Sequence, residues 1–151
     1  MILYVKIIYY ERGLIPMKKR ILALIAVMVM VLSLVACGSA ATVEEYYTQP
    51  VIKSALDSQI EDMKGEYTGI YSDLGYTVEG NTFTYWFKFA TQIDDVDGAA
   101  AQLKANLSDD MMSQLVSDVE SECGVTGITC GYIYYNADGS ILYQDSYSSA
   151  Q

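Results

Sequence analysis

The sequence predicts an α+β domain in which two helices cover one face of a four-stranded antiparallel sheet, in the order α-β-β-α-β-β. Three observations carry that prediction. Apolar residues recur at spacings of three and four over residues 52–74 and again over 96–123, the period of a helix with one buried side. Each stretch is followed by two runs of alternating polarity joined by a turn, at 75–89 and 128–147. From Cys37 onward the chain has 115 residues, enough for one compact domain and not for two.

The first helical region opens at Thr42, which can N-cap a short turn with Glu45 three residues on, a capping-box arrangement. Pro50 suits the first turn of a longer helix. Its stripe is Ile52, Leu56, Ile60, Met63, Tyr67, Ile70 and Leu74. Gly65 and Gly69 weaken this helix by about 1 kcal/mol each, and Gly75 is its expected stop. A two-residue Gly80-Asn81 loop then pairs Glu79 with Thr82, Val78 with Phe83, Thr77 with Thr84 and Tyr76 with Tyr85. Phe87 and Phe89 extend the apolar face of this hairpin; Thr84, Trp86 and Lys88 extend the other.

The acidic residues Asp94, Asp95 and Asp97 suit the first turn of the second helical region, where they complement the helix dipole. Its stripe is Val96, Ala100, Leu103, Leu107, Met111, Leu115, Val119 and Cys123, with Ser108 placed to re-cap the helix midway and Gly124 to end it. In the last hairpin Ile128, Cys130, Tyr132 and Tyr134 share one face. Asn136-Ala137-Asp138-Gly139 supplies the turn, and Ser140 to Tyr147 returns. The two halves share one element order, the pattern a duplication would leave, with slight residue identity.

Ahead of this domain lies a segment of different character. Met17-Lys18-Lys19-Arg20 is a basic n-region, and Ile21 to Ala36 is an apolar run interrupted only by Ser33. Sixteen residues of helix cover about 24 Å, short of the roughly 30 Å bilayer core, so the run suits a cleaved signal better than a permanent span. It ends in Leu34-Val35-Ala36-Cys37-Gly38, which resembles the lipobox of bacterial lipoproteins. The resemblance implies cleavage between Ala36 and Cys37, a diacylglyceryl group on the Cys37 thiol, and a membrane lipid as the first partner. Acyl chains add about 0.8 kcal/mol of membrane affinity per buried CH₂. The competing reading is a single-pass helix that happens to end in a cysteine. Residues 1–16 hold a further apolar stretch. Codons for Glu11-Arg12-Gly13 can spell a purine-rich, ribosome-binding-like sequence a short spacer before Met17, so Met17 is the expected start and 1–16 the expected untranslated segment. The expected organisation is then a signal peptide over 17–36, a lipidated tether over 37–42 and one domain over 43–151. At about 3.5 Å per residue, Gly38 to Thr42 reaches no more than about 20 Å, which keeps that domain close to the membrane surface.

Charge and composition exclude several functions. After Cys37 only Lys53, Lys64, Lys88 and Lys104 face 18 acidic residues, a formal charge of −14 against −10 for the whole chain. With no basic patch to displace counterions from phosphates, nucleic acid is not an expected partner. The chain has no histidine, which removes Ser-His and Cys-His nucleophile pairs. Cys123 and Cys130 alone are too few for zinc, and no cofactor is expected. Asp94-Asp95-Val96-Asp97-Gly98 superficially suggests calcium, but counting from the glycine of an EF-hand loop puts Ile93 first and Lys104 twelfth, where oxygen ligands are required. Glu120 and Glu122 fall on adjacent-turn surface positions of the second helix, so they argue against an enzyme. Cys123 and Cys130 allow two readings: a disulfide closing a short loop, worth about 2–3 kcal/mol, or two buried thiols acting as small apolar residues.

Aromatic content is the positive signal. Eleven of the 14 tyrosines follow Cys37, many on the two hairpins. One sheet face alone can meet the helices, which leaves Trp86, Tyr135 and Tyr143 for the open face. Exposed aromatic patches mark binding sites for glycans, peptides or partner proteins; the alternative is ordinary surface aromatics serving β propensity. The expected function is a membrane-anchored binding or interaction module of the cell envelope. The alternative is an accessory structural lipoprotein without a discrete ligand.

Several of these stretches together resemble a family of small, largely clostridial Gram-positive lipoproteins classed only as a domain of unknown function. They are the lipobox, the Thr42-Val43-Glu44-Glu45-Tyr46 start, the Val78-Glu79-Gly80-Asn81-Thr82 hairpin and the Tyr134-Tyr135-Asn136-Ala137-Asp138-Gly139 turn. The resemblance implies a fold and an extracytoplasmic location but no activity. The third strand departs from the pattern, with Cys130 and Gly131 in place of branched aliphatics.

Overall fold

The computed structural model describes residues 40–149. The Met17 start, the Ala36–Cys37 cleavage and the Cys37 lipid site lie outside the described residues. Four helices and four strands follow in the order α1 (Val43–Tyr47), α2 (Pro50–Glu66), β1 (Tyr71–Glu79), β2 (Thr82–Phe89), α3 (Val96–Asn106), α4 (Asp109–Cys123), β3 (Thr129–Tyr135) and β4 (Ile141–Ser148). Among the described residues no helix is long and apolar enough to cross a membrane.

Each predicted helical region is two helices. Proline lacks the N–H that would continue a helix and restricts the residue before it. The chain therefore closes α1 at Thr48 and starts again at Pro50. Thr42 caps α1 by accepting from the Glu45 amide at 3.1 Å. The second region breaks at Leu107, where Ser108 accepts from the Met111 amide at 3.4 Å and re-caps the chain as α4. Asp95 caps α3 through Gly98 N at 3.0 Å, so the aspartate run acts as a helix start.

The sheet order is β1-β2-β3-β4, and the sheet is mixed rather than antiparallel. β1–β2 and β3–β4 are antiparallel hairpins, but the central pair β2–β3 runs parallel. The reason is the two-helix connection. It returns the chain to the end of the sheet where β2 began, and the 15 residues of α4 span about 22 Å, close to one strand length. The register within the first hairpin is the one its alternation predicts, Glu79 opposite Thr82 through Tyr76 opposite Tyr85.

β1 begins at Tyr71, earlier than its spacing suggested. α2 ends at Glu66, and Gly69 adopts the left-handed φ of 88° in the connection. The helical spacing of Met63, Tyr67, Ile70 and Leu74 runs past the end of α2 into β1, where a bulge between Tyr71 and Asp73 adds one residue ahead of Leu74. Tyr71 and Leu74, three apart, then face the same side of the strand.

The core is an aromatic ladder on that side. Tyr47 meets Phe83 with ring centroids 4.8 Å apart, Phe83 meets Tyr85 at 4.7 Å, and Tyr85 meets Tyr132 at 5.8 Å. Phe87 stacks on Tyr134 at 5.0 Å and tilts against Tyr71 at 5.3 Å. α1 supplies Tyr46 and Tyr47, α2 supplies Leu56, Ile60 and Met63, and α4 supplies Met112, Leu115, Val116, Val119 and Cys123.

Polar latches fix both ends of the sheet. At one end Glu44 N donates to Gly80 O at 2.9 Å, Gly80 N donates back to Glu44 Oε2 at 2.7 Å, and Val43 N donates to Asn81 Oδ1 at 3.3 Å. At the other, buried Asn136 accepts from Ile93 N at 2.8 Å and donates to Ile93 O at 2.9 Å, while also accepting from Ala137 N at 3.0 Å. These motifs are therefore connectors: the Thr42–Tyr46 start clasps the Val78–Thr82 hairpin, and the Tyr134–Gly139 turn holds the β2–α3 loop.

Candidate functional site

The face of the sheet away from the aromatic ladder presents the even-numbered residues of β2 and their partners. Trp86 lies opposite Gly75 on one side and Ile133 on the other, and Lys88 lies opposite Tyr135. Tyr135 in turn pairs with Ile141, which is 53% exposed. An apolar band, Trp86–Ile133–Tyr135–Ile141, thus crosses three strands. Beside it Gly131 leaves a shallow depression of about 390 Å³ next to Thr84, Ile133, Gln144 and Ser146. A side chain at Gly131 would fill the floor of this depression, since its Cβ would stand 3.1 Å from Thr84 Oγ1.

Two of the three residues expected on this face are there, and the third is not. Tyr143 pairs with buried Tyr134 and so points to the opposite side, where its hydroxyl donates to Asp145 Oδ2 at 2.9 Å. A register shift between Tyr134 and Tyr135 inserts Leu142 and reverses the alternation expected along β4. Burial and the Asp145 carboxylate push the Tyr143 hydroxyl pKa up, keeping it a neutral donor.

Trp86 also reaches a groove of about 520 Å³ that sequence reasoning did not find. Its other wall is the side of α2 bearing Lys53, Asp57, Glu61 and Lys64, with Leu74, Gly75 and Tyr76 below. Lys53 pairs with Asp57, whose other oxygen accepts from the Tyr76 hydroxyl at 2.7 Å. Lys64 bridges Glu61 at 3.2 Å and Asp73 at 3.1 Å. The Lys53 and Tyr76 hydrogen bonds lower the Asp57 pKa, and the Asp73 and Glu61 hydrogen bonds raise that of Lys64, so both stay charged. The available signal was the i, i+4 spacing of Lys53-Asp57-Glu61 on the side of α2 flanking its apolar stripe.

Glu122 is the second residue placed differently from expectation. It is half-buried, with Oε1 accepting from the Tyr46 hydroxyl at 3.2 Å and Oε2 enclosed without a hydrogen-bonding partner among the described residues. Burial raises its pKa from 4.5 to about 7, against the opposing effect of the Tyr46 hydrogen bond. Its position seven residues after Leu115 and three after Val119 continues the buried stripe, which is the signal that helix counting overlooked. Glu120 stays at the surface and accepts from Gly127 N at 2.8 Å, closing the turn into β3.

Cys123 and Cys130 are free and buried rather than bridged. Cys123 ends α4 just before left-handed Gly124, and its thiol is directed at Val125 O, 4.0 Å away. Burial pushes the Cys130 thiol up to about 12, which keeps it protonated at neutral pH. Among the described residues no group of three or more Cys, Asp or Glu side chains is arranged to hold a metal ion.

No curated protein and no solved structure matches the chain. One family does, the one described as Domain of unknown function (DUF4854), over residues 43–147. That span runs from the first residue of α1 to the penultimate residue of β4 and takes in both latches and the open face. The chain belongs to this family.

Proposed function

We propose that the protein is a membrane-anchored extracytoplasmic lipoprotein whose domain is a binding module, and that the open sheet face is its recognition surface. The observation that carries the recognition reading is the Trp86–Ile133–Tyr135–Ile141 band, which runs from central strands β2 and β3 to edge strand β4 on the face opposite the aromatic core. Contiguous apolar patches left on a solvated face mark sites where proteins meet partners or ligands. The lipobox-like Leu34–Gly38 sequence supports the anchor, and the short segment to Thr42 would hold the domain within about 20 Å of the bilayer. Partners then belong to the envelope: a glycan, a peptide or another surface protein. Nucleic acid is disfavoured by a domain with 18 acidic residues and four lysines.

Two measurements test this. Mass spectrometry of the protein from its own membrane should find an N-terminal Cys37 carrying a diacylglyceryl group, and an unmodified Cys37 thiol would reject lipidation there. Crosslinking of the lipidated protein in its own membrane should recover a defined partner. Trp86→Ala combined with Tyr135→Ala should lose that partner while circular dichroism stays native, and recovery unchanged by the double substitution would reject this face.

A further inference from the structure

The groove between α2 and the Gly75–Tyr76 segment of β1 has the chemistry of a glycan site. Its volume of about 520 Å³ lies within the range of small-molecule sites. It holds the chain's single tryptophan and two of the four lysines that follow Cys37. The indole rests against Gly75 so closely that a Cβ there would stand 2.6 Å from Trp86 Cζ2. Glycine at this position is therefore what lets the ring settle against the strand, and it gives the groove a fixed aromatic wall.

Charge decides among ligands. Lys53 is paired with Asp57, and Lys64 with Glu61 and Asp73, so two lysines and three carboxylates leave a formal charge of −1. No lysine stands free to take a phosphate, and no carboxylate cluster stands free to take a cationic peptide. The ion pairs leave hydrogen-bonding capacity unused, because an ammonium has three donors and a carboxylate about four acceptor positions. Such an array suits the hydroxyls of a neutral sugar, whose apolar C–H face lies against an aromatic ring.

We propose that this groove binds an uncharged saccharide segment of an envelope glycan, with Trp86 as the stacking wall and Asp57, Glu61 and Lys64 holding its hydroxyls. The proposal rests on the binding-module reading above and names its ligand class. The test is calorimetric titration of the detergent-solubilised full-length protein with N-acetylglucosamine tetramer and glucose tetramer, followed by the emission of Trp86. Saturable binding to one of them, with a shift in Trp86 emission, is expected. Asp57→Asn and Lys64→Met should each weaken it about tenfold, the effect of losing about 1.4 kcal/mol. Lys104→Met, on the exposed side of α3 and outside both the groove and the sheet face, should leave it within about twofold. Native circular dichroism for each variant separates a binding defect from a folding defect. No saturable binding of either sugar, or binding that Tyr135→Ala abolishes and Asp57→Asn spares, overturns the groove. A crosslinked partner lost on substitution of Trp86 and Tyr135 would in that case leave the module reading standing. Binding of peptides with no sugar response overturns the saccharide assignment.

Discussion

The two faces of this sheet are both aromatic, yet they live in different solvents. On the helix side Tyr71, Phe83, Tyr85, Phe87, Tyr132 and Tyr134 are all buried and touch one another ring to ring. On the other, Trp86, Ile133 and Tyr135 are half-buried, and Ile141 is mostly exposed. Adjacent residues of a single strand, Trp86 and Phe87, therefore answer to different pressures. Removing a ring from the covered side leaves a cavity between layers that cannot collapse. Removing one from the open side admits water to a place already half wet. The covered face carries stability, and the open one is free to carry recognition.

The sharpest way to break this distinction is to truncate the two neighbours. Phe87→Ala should cost about 3–5 kcal/mol, through lost transfer energy and the cavity left between Tyr71 and Tyr134. Trp86→Ala should cost about 1 kcal/mol, because its site can rehydrate. Urea unfolding of both variants measures the difference directly. Equal losses would mean that the open face is covered by something in the native protein.

A smaller effect is expected at the far end of the sheet. Asn136 is the one buried polar residue among those described, and all of its described bonds go to backbone. Asn136→Ala strands the Ile93 amide and carbonyl, at a cost of about 2–3 kcal/mol. Hydrogen exchange should accelerate at Ile93 and Ala137 before it does so in the β1–β2 hairpin. Uniform acceleration across the domain would show that the latch is not a local one.

The contrast between the two faces also explains what was legible in the sequence. The first hairpin, the buried Cys130-Tyr132-Tyr134 face and the helix caps follow from rules acting within a few residues, and the pairing of Val78 with Phe83 needed nothing more distant. The parallel β2–β3 pairing is set by where a connection of nearly forty residues delivers the chain, which no local pattern encodes. Single inserted residues caused the other departures. Ser72 shifted the register ahead of Leu74, the last residue of the expected helical stripe, and Leu142 turned Tyr143 to the covered side. Of the expected recognition face, Trp86 and Tyr135 were legible from alternation alone. The α2 wall of the groove was not, because it depends on which side of β1 the helix reaches.

Glu122 is the carboxylate drawn toward the covered side, and it gives that side a pH dependence. Its pKa is about 7 in the folded protein against 4.5 as the ordinary value, raised chiefly by burial. Between those values the folded chain holds a proton that the unfolded chain has released, so stability falls as pH rises from 4.5 to about 7 and then levels off. Glu122 is only half-buried, and solvent screening reduces the effect to about 1–2 kcal/mol. Asp57, Glu120 and Asp138 work in the opposite sense: their lowered pKa values add stability that is lost in acid, below the Glu122 window. Glu122→Gln keeps an acceptor for the Tyr46 hydroxyl but removes the titration. Its unfolding midpoint should match that of the wild type near pH 4.5 and exceed it above pH 7. Parallel pH profiles for the two proteins would place the Glu122 carboxylate in water and leave the covered face dry.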